Sequence, residues 1–161
     1  MHDAIVINTG PLIALAKADA FDLIEKLPFE FYCPVQVQRE LRAGVSRGHF
    51  AVSLEGLIVR PLADPLNPLA RATLDAGEGA VIQLALEQQV PRVCIDERRG
   101  RRAALSVGLE VIGTLGLLLR AKKLGFVVAL KPYIDRLLEH GYWFDDALLE
   151  KVLAAADELP G

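Results

Sequence analysis

The chain has 161 residues, 52% of them apolar, with a net charge of -3 and a sequence pI near 5.6; this suffices for one domain with a sizeable core and is too short for two. With no overall basic field, any nucleic-acid binding must rest on a local patch. Met1-His2-Asp3 lacks the basic region and long apolar core of a leader, and no run of about 18 apolar residues follows, so the expectation is a soluble, cytoplasmic protein without a membrane span.

Ala4 to Ile7 is a run of apolar, largely β-branched residues that stops at Asn8-Thr9-Gly10-Pro11. It reads as a buried central strand covered on both faces, with Gly10 permitting a sharp turn and Pro11 pre-set for the first helical position. Ligands of such sheets bind at the carboxyl ends of strands, which puts Asn8 and Thr9 at the expected site. A short helix over Leu12 to Ala18 follows, then a second from Ala20 to Leu27, capped by Asp19 and stopped by Pro28. Phe29 to Cys33 reads as the second strand, and Pro34 opens a helix to about Ala43 that Gly44 ends. Glu40 lies in that helix three residues after Val37, on or beside its core-facing side.

Residues 45–56 have no clear period. Leu57 to Leu62 reads as a third strand that Pro61 confines to an edge, Ala63 to Pro68 as a loop, and Ala70 to Ala76 as helix-prone. Gly77-Glu78-Gly79 then precedes a helix over Ala80 to Glu87, where Glu78, Val81, Ile82 and Ala85 share one face. Arg92 to Ile95 is a strand ending at Asp96-Glu97, followed by an arginine-rich helix from Arg98 to Val107 that Gly108 terminates. Leu109 to Ile112 repeats the strand cue, and Gly113-Thr114-Leu115-Gly116 leads into a helix over Leu117 to Leu124 closed by Gly125. Phe126 to Leu130 is either strand or connector. Tyr133 to Glu139 and Asp146 to Glu158 are two further helices. Short strands alternating with helices predict a three-layer α/β/α sandwich with a central, mostly parallel sheet.

Cys33 and Cys94 each sit in a short apolar run, the pattern of buried thiols in a reducing compartment. His2, His49 and His140 have no spacing that suggests ligands or a triad, and Lys122 and Lys123 read as partners for a helix C-terminus. Asn8 and Asp96 fall at strand carboxyl ends, with Glu40 and Glu78 on helices of the same rim. Converging carboxylates raise one another's pKa unless a cation offsets them; oxygen ligands without a His or Cys cluster favour Mg2+ or Mn2+ over zinc. Residue by residue, blander roles compete: Glu78 as a helix-start acid, Asp96 as a cap, Glu40 as a partner for Arg39 or Arg42. Arg98, Arg99, Arg101 and Arg102 follow Asp96, with Arg98 and Arg102 on one helix face. They suit either a phosphate backbone or solvent.

In order, Asn-Thr-Gly-Pro-Leu-Ile-Ala-Leu from Asn8, Pro-Val-x-Val-x-x-Glu-Leu at 34–41, Gly-Glu-Gly-Ala-Val-Ile-Gln-Leu-Ala at 77–85, Ile-Asp-Glu-Arg-Arg-Gly-Arg-Arg-Ala at 95–103 and Val-Ile-Gly-Thr-Leu-Gly-Leu-Leu at 111–118 resemble the PIN-domain superfamily. More narrowly, they resemble a predicted nucleic-acid-binding branch related to VapC-type toxins. The resemblance spans roughly residues 4–155 and implies one PIN-like domain over 1–161, with C-terminal helices at about 132–158 packed on it. It implies a Mg2+- or Mn2+-dependent ribonuclease whose acidic positions fall on Asn8, Glu40, Glu78 and Asp96. Thr9, Glu97 and Thr114 are accessories, and Arg98, Arg99 and Arg102 are RNA contacts. Homodimerisation and a small antitoxin partner are further implications, with the apolar helices at 12–27 and the C-terminal pair as candidate interfaces.

Asn8 departs from the family pattern, which has Asp there; the amide oxygen still ligates a hard cation but brings no charge. The alternatives are therefore a weaker nuclease, one in which Glu97 substitutes, and a non-catalytic RNA- or protein-binding module. A receiver-like phosphorylation domain needs an acidic pair after the first strand and a Lys after the fifth, and the sequence supplies neither.

Overall fold

The computed structural model describes residues 3–48 and 51–159. Five strands form the sheet: β1 (Asp3–Ile7), β2 (Phe29–Pro34), β3 (Leu57–Arg60), β4 (Arg92–Cys94) and β5 (Glu110–Ile112). All neighbours are parallel and the order is β3-β2-β1-β4-β5. The sheet is thus wholly, rather than mostly, parallel. Because parallel strands need crossovers, helices fall on both faces. Ile5, Val6 and Ile7 are accordingly 0% exposed, as the uninterrupted apolar run requires of a central strand.

The helices are α1 (Thr9–Lys17), α2 (Leu23–Lys26), α3 (Val35–Ser46), α4 (Pro68–Thr73), α5 (Ala76–Glu87), α6 (Arg98–Ser106), α7 (Thr114–Lys123), α8 (Lys131–Glu139) and α9 (Asp146–Ala155). α5 lies on β1, β2 and β4 and meets α3 and α6, whereas α1 meets α7 and α8, and α9 packs on α7. After β3 the chain crosses back past β2 and β1 to add β4 on the far side of β1. The carboxyl ends of β1 and β4 therefore flank a topological switch point, the crevice where open α/β sheets bind ligands. Asn8 ends one side of it, and Ile95-Asp96 ends the other.

Several local expectations need correction. α1 begins at Thr9, so Gly10 and Pro11 lie inside its first turn, and Gly10 has neither positive φ nor any atom within 4 Å of where a Cβ would sit. Asp19 does not cap a helix over 20–27; with φ 57 it ends α1 in the left-handed region, and the next helix is a single turn at Leu23–Lys26. Pro34 is the cap before α3 rather than its first residue. α3 continues through Gly44, which has no positive φ, and ends before Gly48 at φ 82. The helix expected over 70–76 is broken at Leu74, which is extended, so that Asp75 starts α5 two residues before Gly77. Similarly, Thr114, Leu115 and Gly116 belong to α7. Residues 126–130 contain no strand, and α9 ends at Ala155 rather than Glu158.

The thiols of Cys33 and Cys94 are unpaired and buried. Burial pushes Cys33 up to about 11 and raises Cys94 too, with the Asp96 charge adding to the latter. Leu12, Leu15, Leu23 and Ile24 are core residues, so the apolar side of 12–27 faces inward and is not an exposed interface. His140 is exposed at the end of α8; His2 and His49 lie outside the described residues.

Candidate functional site

Among the described residues, the buried polar or charged side chains are Asn8 (6% exposed), Glu78 (4%) and Thr114 (3%). All three stand at the carboxyl-end rim. Burying a polar group costs stability unless it is bonded, so their concentration at one place needs a reason.

Asn8 occupies the N-cap position of α1 with extended backbone, yet its side chain caps nothing. Its backbone N–H donates to the Cys94 carbonyl at 3.0 Å, tying the ends of β1 and β4 together. The side-chain Oδ1 is buried and has no hydrogen-bond partner. An Asn at a cap position ordinarily satisfies a helix N–H; here the acceptor points elsewhere and is left wanting.

On one side of Asn8 stands a carboxylate arm. The Thr9 hydroxyl donates to Glu40 Oε2 at 2.7 Å, joining α1 to α3. Burial raises the Glu40 carboxyl and Asp75 adds to this, against relief from Thr9 and the Gly77 amide. Asp75 is the true N-cap of α5, its Oδ1 accepting from the Glu78 N–H at 2.8 Å. Glu78, in the first turn of α5, is pushed up to about 7 by burial, then by the Asp75 and Glu97 carboxylates, with partial relief from Arg99 and the Asp75 backbone amide. Two glycines make room for these side chains. A Cβ on Gly77 would fall 2.4 Å from Glu40 Oε1, and one on Gly100 would meet Ile95 at 2.9 Å and the Glu78 carboxyl carbon at 3.2 Å.

On the other side, Asp96 is held by Thr114: the backbone N–H donates to Oδ1 at 2.8 Å and the hydroxyl to Oδ2 at 2.6 Å. Asp96 thus satisfies the start of α7, a helix eighteen residues further on, rather than its own helix, and benefits from that N-terminus. Tyr142 stands near it; burial, then the Asp96 charge, raises the Tyr142 hydroxyl. The four arginines divide. Arg101 turns back to the Ile95 carbonyl at 2.9 Å and Arg99 reaches the Thr73 carbonyl at 3.4 Å, while Arg98 and Arg102 are exposed on one face of α6. Lys122 does more than partner a helix end. It bonds Glu158 and the Ala156 carbonyl at the opposite end of the molecule.

The structure therefore brings Glu40, Asp75, Glu78 and Glu97 into one electrostatic neighbourhood and Asp96 with Thr114 into another, with Asn8 at the switch point. Sequence reasoning missed Asp75, although Asp-x-x-Glu at 75–78 is a capping-box spacing. It also missed Gln36, one helical turn before Glu40, whose buried Oε1 likewise lacks a partner. Among the described residues, no three His, Cys, Asp or Glu side chains are drawn close enough to cage a metal ion. The donor set nonetheless consists of carboxylates, an amide oxygen and hydroxyls, which is the chemistry of a hard divalent cation, and the orphaned Asn8 Oδ1 is an acceptor such a group would satisfy.

Residues 4–158 match the model of a family described as DUF3368, a PIN domain. The chain belongs to this PIN-domain family. A PilT N-terminus domain protein from the hyperthermophilic archaeon Sulfolobus solfataricus P2 is similar in structure, with a TM-score of 0.55 at 16% identity over 73% of this chain and 92% of that one. At that identity the likeness concerns the fold. No curated protein matches the chain. Among the described residues of this PIN domain, no helix is long and apolar enough to cross a membrane.

Proposed function

We propose that this PIN domain is a divalent-cation-dependent ribonuclease that hydrolyses RNA phosphodiester bonds at the β1/β4 rim. Asn8, Glu40, Glu78 and Asp96 would hold Mg2+ or Mn2+, with Glu97 in reach of Glu78. The observation that carries this reading is the Asn8 Oδ1, a buried acceptor without a partner at the switch point, with carboxylates to either side. When bound, such a cation supplies Lewis-acid activation of the scissile phosphate and of an attacking water. The chain's own residues do the rest. Thr9 fixes the rotamer of Glu40, and Thr114 fixes that of Asp96. Glu78, buried in the first turn of α5, presents its carboxylate to the rim where Gly100 leaves room for it. Arg98 and Arg102 offer the phosphate backbone two guanidinium groups beside Asp96.

A toxin-like role with a small antitoxin, homodimer formation, a single domain over 1–161 and residence in the cytoplasm belong to the same proposal. The buried, unpaired thiols of Cys33 and Cys94 favour the last of these. One observation favours a second reading, an RNA-binding module without catalysis: Asn8 removes a negative charge where the family pattern has Asp. Cleavage of a fluorescent RNA panel with Mn2+ or Mg2+ separates the two. The nuclease reading expects cleavage that EDTA and Glu78→Gln both abolish and that Asn8→Asp increases. Absence of cleavage by wild type and Asn8→Asp alike, with RNA binding retained, would establish the binding module instead.

A further inference from the structure

Among the described residues, two buried side-chain atoms that can hydrogen-bond have no partner, Asn8 Oδ1 and Gln36 Oε1. Buried polar atoms are almost always met, so two orphans in one region call for an occupant. They do stand in one region. The parallel register sets Val6 beside Tyr32, so Asn8 and Pro34, each two residues further on, leave the sheet side by side. α1 starts directly after the first and α3 directly after the second, which puts Gln36 in the first turn of α3 at the same rim.

Gln36 also looks the same way as Glu40. Val37 and Leu41 form the buried stripe of α3, and Gln36 and Glu40, one turn apart, line a single flank of it. Gln38 lies on the other flank. What Glu40 touches sets the direction of the first: its Oε2 accepts from the Thr9 hydroxyl at the head of α1, and its carboxyl closes on Gly77 in the first turn of α5. Side chains on a helix lean toward its N-terminus, so the Glu40 carboxyl rises toward the turn that carries Gln36. The Thr9 hydroxyl is already given to Glu40, and no other donor among the described residues reaches Gln36 Oε1.

Both orphans are oxygens, so what they lack is a donor or a cation, and the neighbouring carboxylates of Glu40, Asp75, Glu78 and Glu97 repel an anion. We propose that Gln36 is a further positioning residue of the cation site, its Oε1 accepting from the hydration shell of the divalent ion that Asn8 and Glu40 would hold. This deepens the reading of the rim as a cation site and rests on it. Mg2+ sheds water reluctantly and keeps several waters when bound. A neutral amide oxygen accepts from such a water without adding a charge to carboxylates that already oppose one another.

The test is Mn2+ binding by isothermal titration, with thermal melts in EDTA and in Mn2+. Gln36→Met keeps the length of the side chain and removes the oxygen. It should weaken Mn2+ binding about 10- to 100-fold and shrink the upward shift of the melting temperature that Mn2+ produces, while the melt in EDTA stays the same or rises because a buried orphan is gone. Gln36→Glu keeps an acceptor and should bind Mn2+ at least as tightly as wild type. Gln38→Met, on the other flank, should leave Mn2+ binding unchanged. If Gln36→Met does not fold, Gln36→Ala takes its place with the same expectation, since alanine suits any helix.

Wild-type Mn2+ affinity in Gln36→Met overturns the role and leaves an ordinary buried water as the partner of Oε1. Equal losses in Gln36→Met and Gln36→Glu overturn it too, by assigning the effect to a disturbed start of α3. Cleavage of RNA by wild type is measured beside these. Weaker Mn2+ binding in Gln36→Met, with no RNA cleaved by wild type, keeps the Gln36 role and removes the ribonuclease. Mn2+-dependent cleavage with Gln36→Met unaffected does the reverse, and a wild type that binds no Mn2+ loses both.

Discussion

Two enclosed carboxylates, Glu78 at the rim and Glu158 at the opposite pole, are treated in opposite ways. Glu158 accepts from the Lys122 ammonium at 2.9 Å, the Leu130 amide at 2.7 Å and the Lys131 amide at 3.1 Å. Burial alone would raise it, but these donors more than offset that and leave it below the ordinary range. Glu78 is more deeply buried and receives further carboxylates, Asp75 and Glu97, as neighbours. Its charge is opposed rather than met. The comparison teaches what each region is for: at the C-terminal pole a carboxylate closes the fold, whereas at the rim carboxylates are gathered at a cost to stability that a bound cation would repay.

The sharpest way to break the comparison is to remove each charge. Glu78→Gln should abolish metal-dependent cleavage, a loss of at least about 100-fold given that even outer partners of metal ligands cost 10- to 100-fold. It should also raise the melting temperature in EDTA and erase the upward shift that Mn2+ produces in wild type. The pH dependence follows from the same charge. The unfolded chain releases the Glu78 proton near 4.5 and the folded one near 7. Between these values the folded state binds more protons, so the stability of the metal-free protein falls as pH rises from about 4.5 to about 7. Thermal melts in EDTA across that range should show this decline, and Mn2+ or Glu78→Gln should flatten it. A decline of equal size in Glu78→Gln would assign it to another group.

Asp96 lies between the two extremes, partly satisfied and still at the rim. Thr114→Val keeps the backbone N–H bond and removes the 2.6 Å hydroxyl bond. The expected loss of Mn2+ affinity is about 10- to 100-fold, read by isothermal titration, with a smaller change in melting temperature. An unchanged affinity would make the Asp96–Thr114 pair a helix cap and nothing more. At the other pole Glu158→Gln should cost roughly 1–2 kcal/mol of stability, the value of charge-assisted bonds discounted for partial exposure. Cleavage per folded molecule should not change. Because the Glu158 carboxyl is lowered, its contribution is present above the unfolded value of 4.5 and is lost as pH falls, opposite in sign to that of Glu78.

The sequence makes one of these poles readable and hides the other. The β1 run announces a strand covered on both faces, and the polar residues that end it mark the rim. Asp96 and Glu78 are visible because they stand at the end of an apolar strand and the head of an apolar helix, and Glu40 because it follows Val37 by three residues beside the core-facing side of α3. Their partners are not. Thr9 meets Glu40 across thirty-one residues and Thr114 meets Asp96 across eighteen, pairings fixed by the parallel register of β1 with β2 and of β4 with β5. Asp75 is hidden for a local reason: helix-prone residues on both sides of Leu74 mask the break, and only the cap spacing to Glu78 betrays it. Asp19 shows the converse error. A residue typical of helix starts instead ends one, because Asp tolerates the left-handed region more readily than most residues. The Glu158 clasp joins residues that no periodicity connects.

The finest contrast lies within α6, where chemically identical side chains do different work. Arg101 is spent on the Ile95 carbonyl, behind the loop that carries Asp96, whereas Arg98 and Arg102 project from one exposed face. Arg98→Ala and Arg102→Ala should each weaken single-stranded RNA binding a few-fold, alike for every sequence, and lower the salt slope by about 0.7 per lost phosphate contact. Arg101→Ala should leave the slope unchanged and lower the melting temperature, since a buried carbonyl loses its donor. Filter binding at a series of salt concentrations measures all three slopes. If Arg101→Ala changes the slope as much as the other two, its bond to Ile95 gives way when RNA arrives, and the division of labour along this helix exists in the free protein alone.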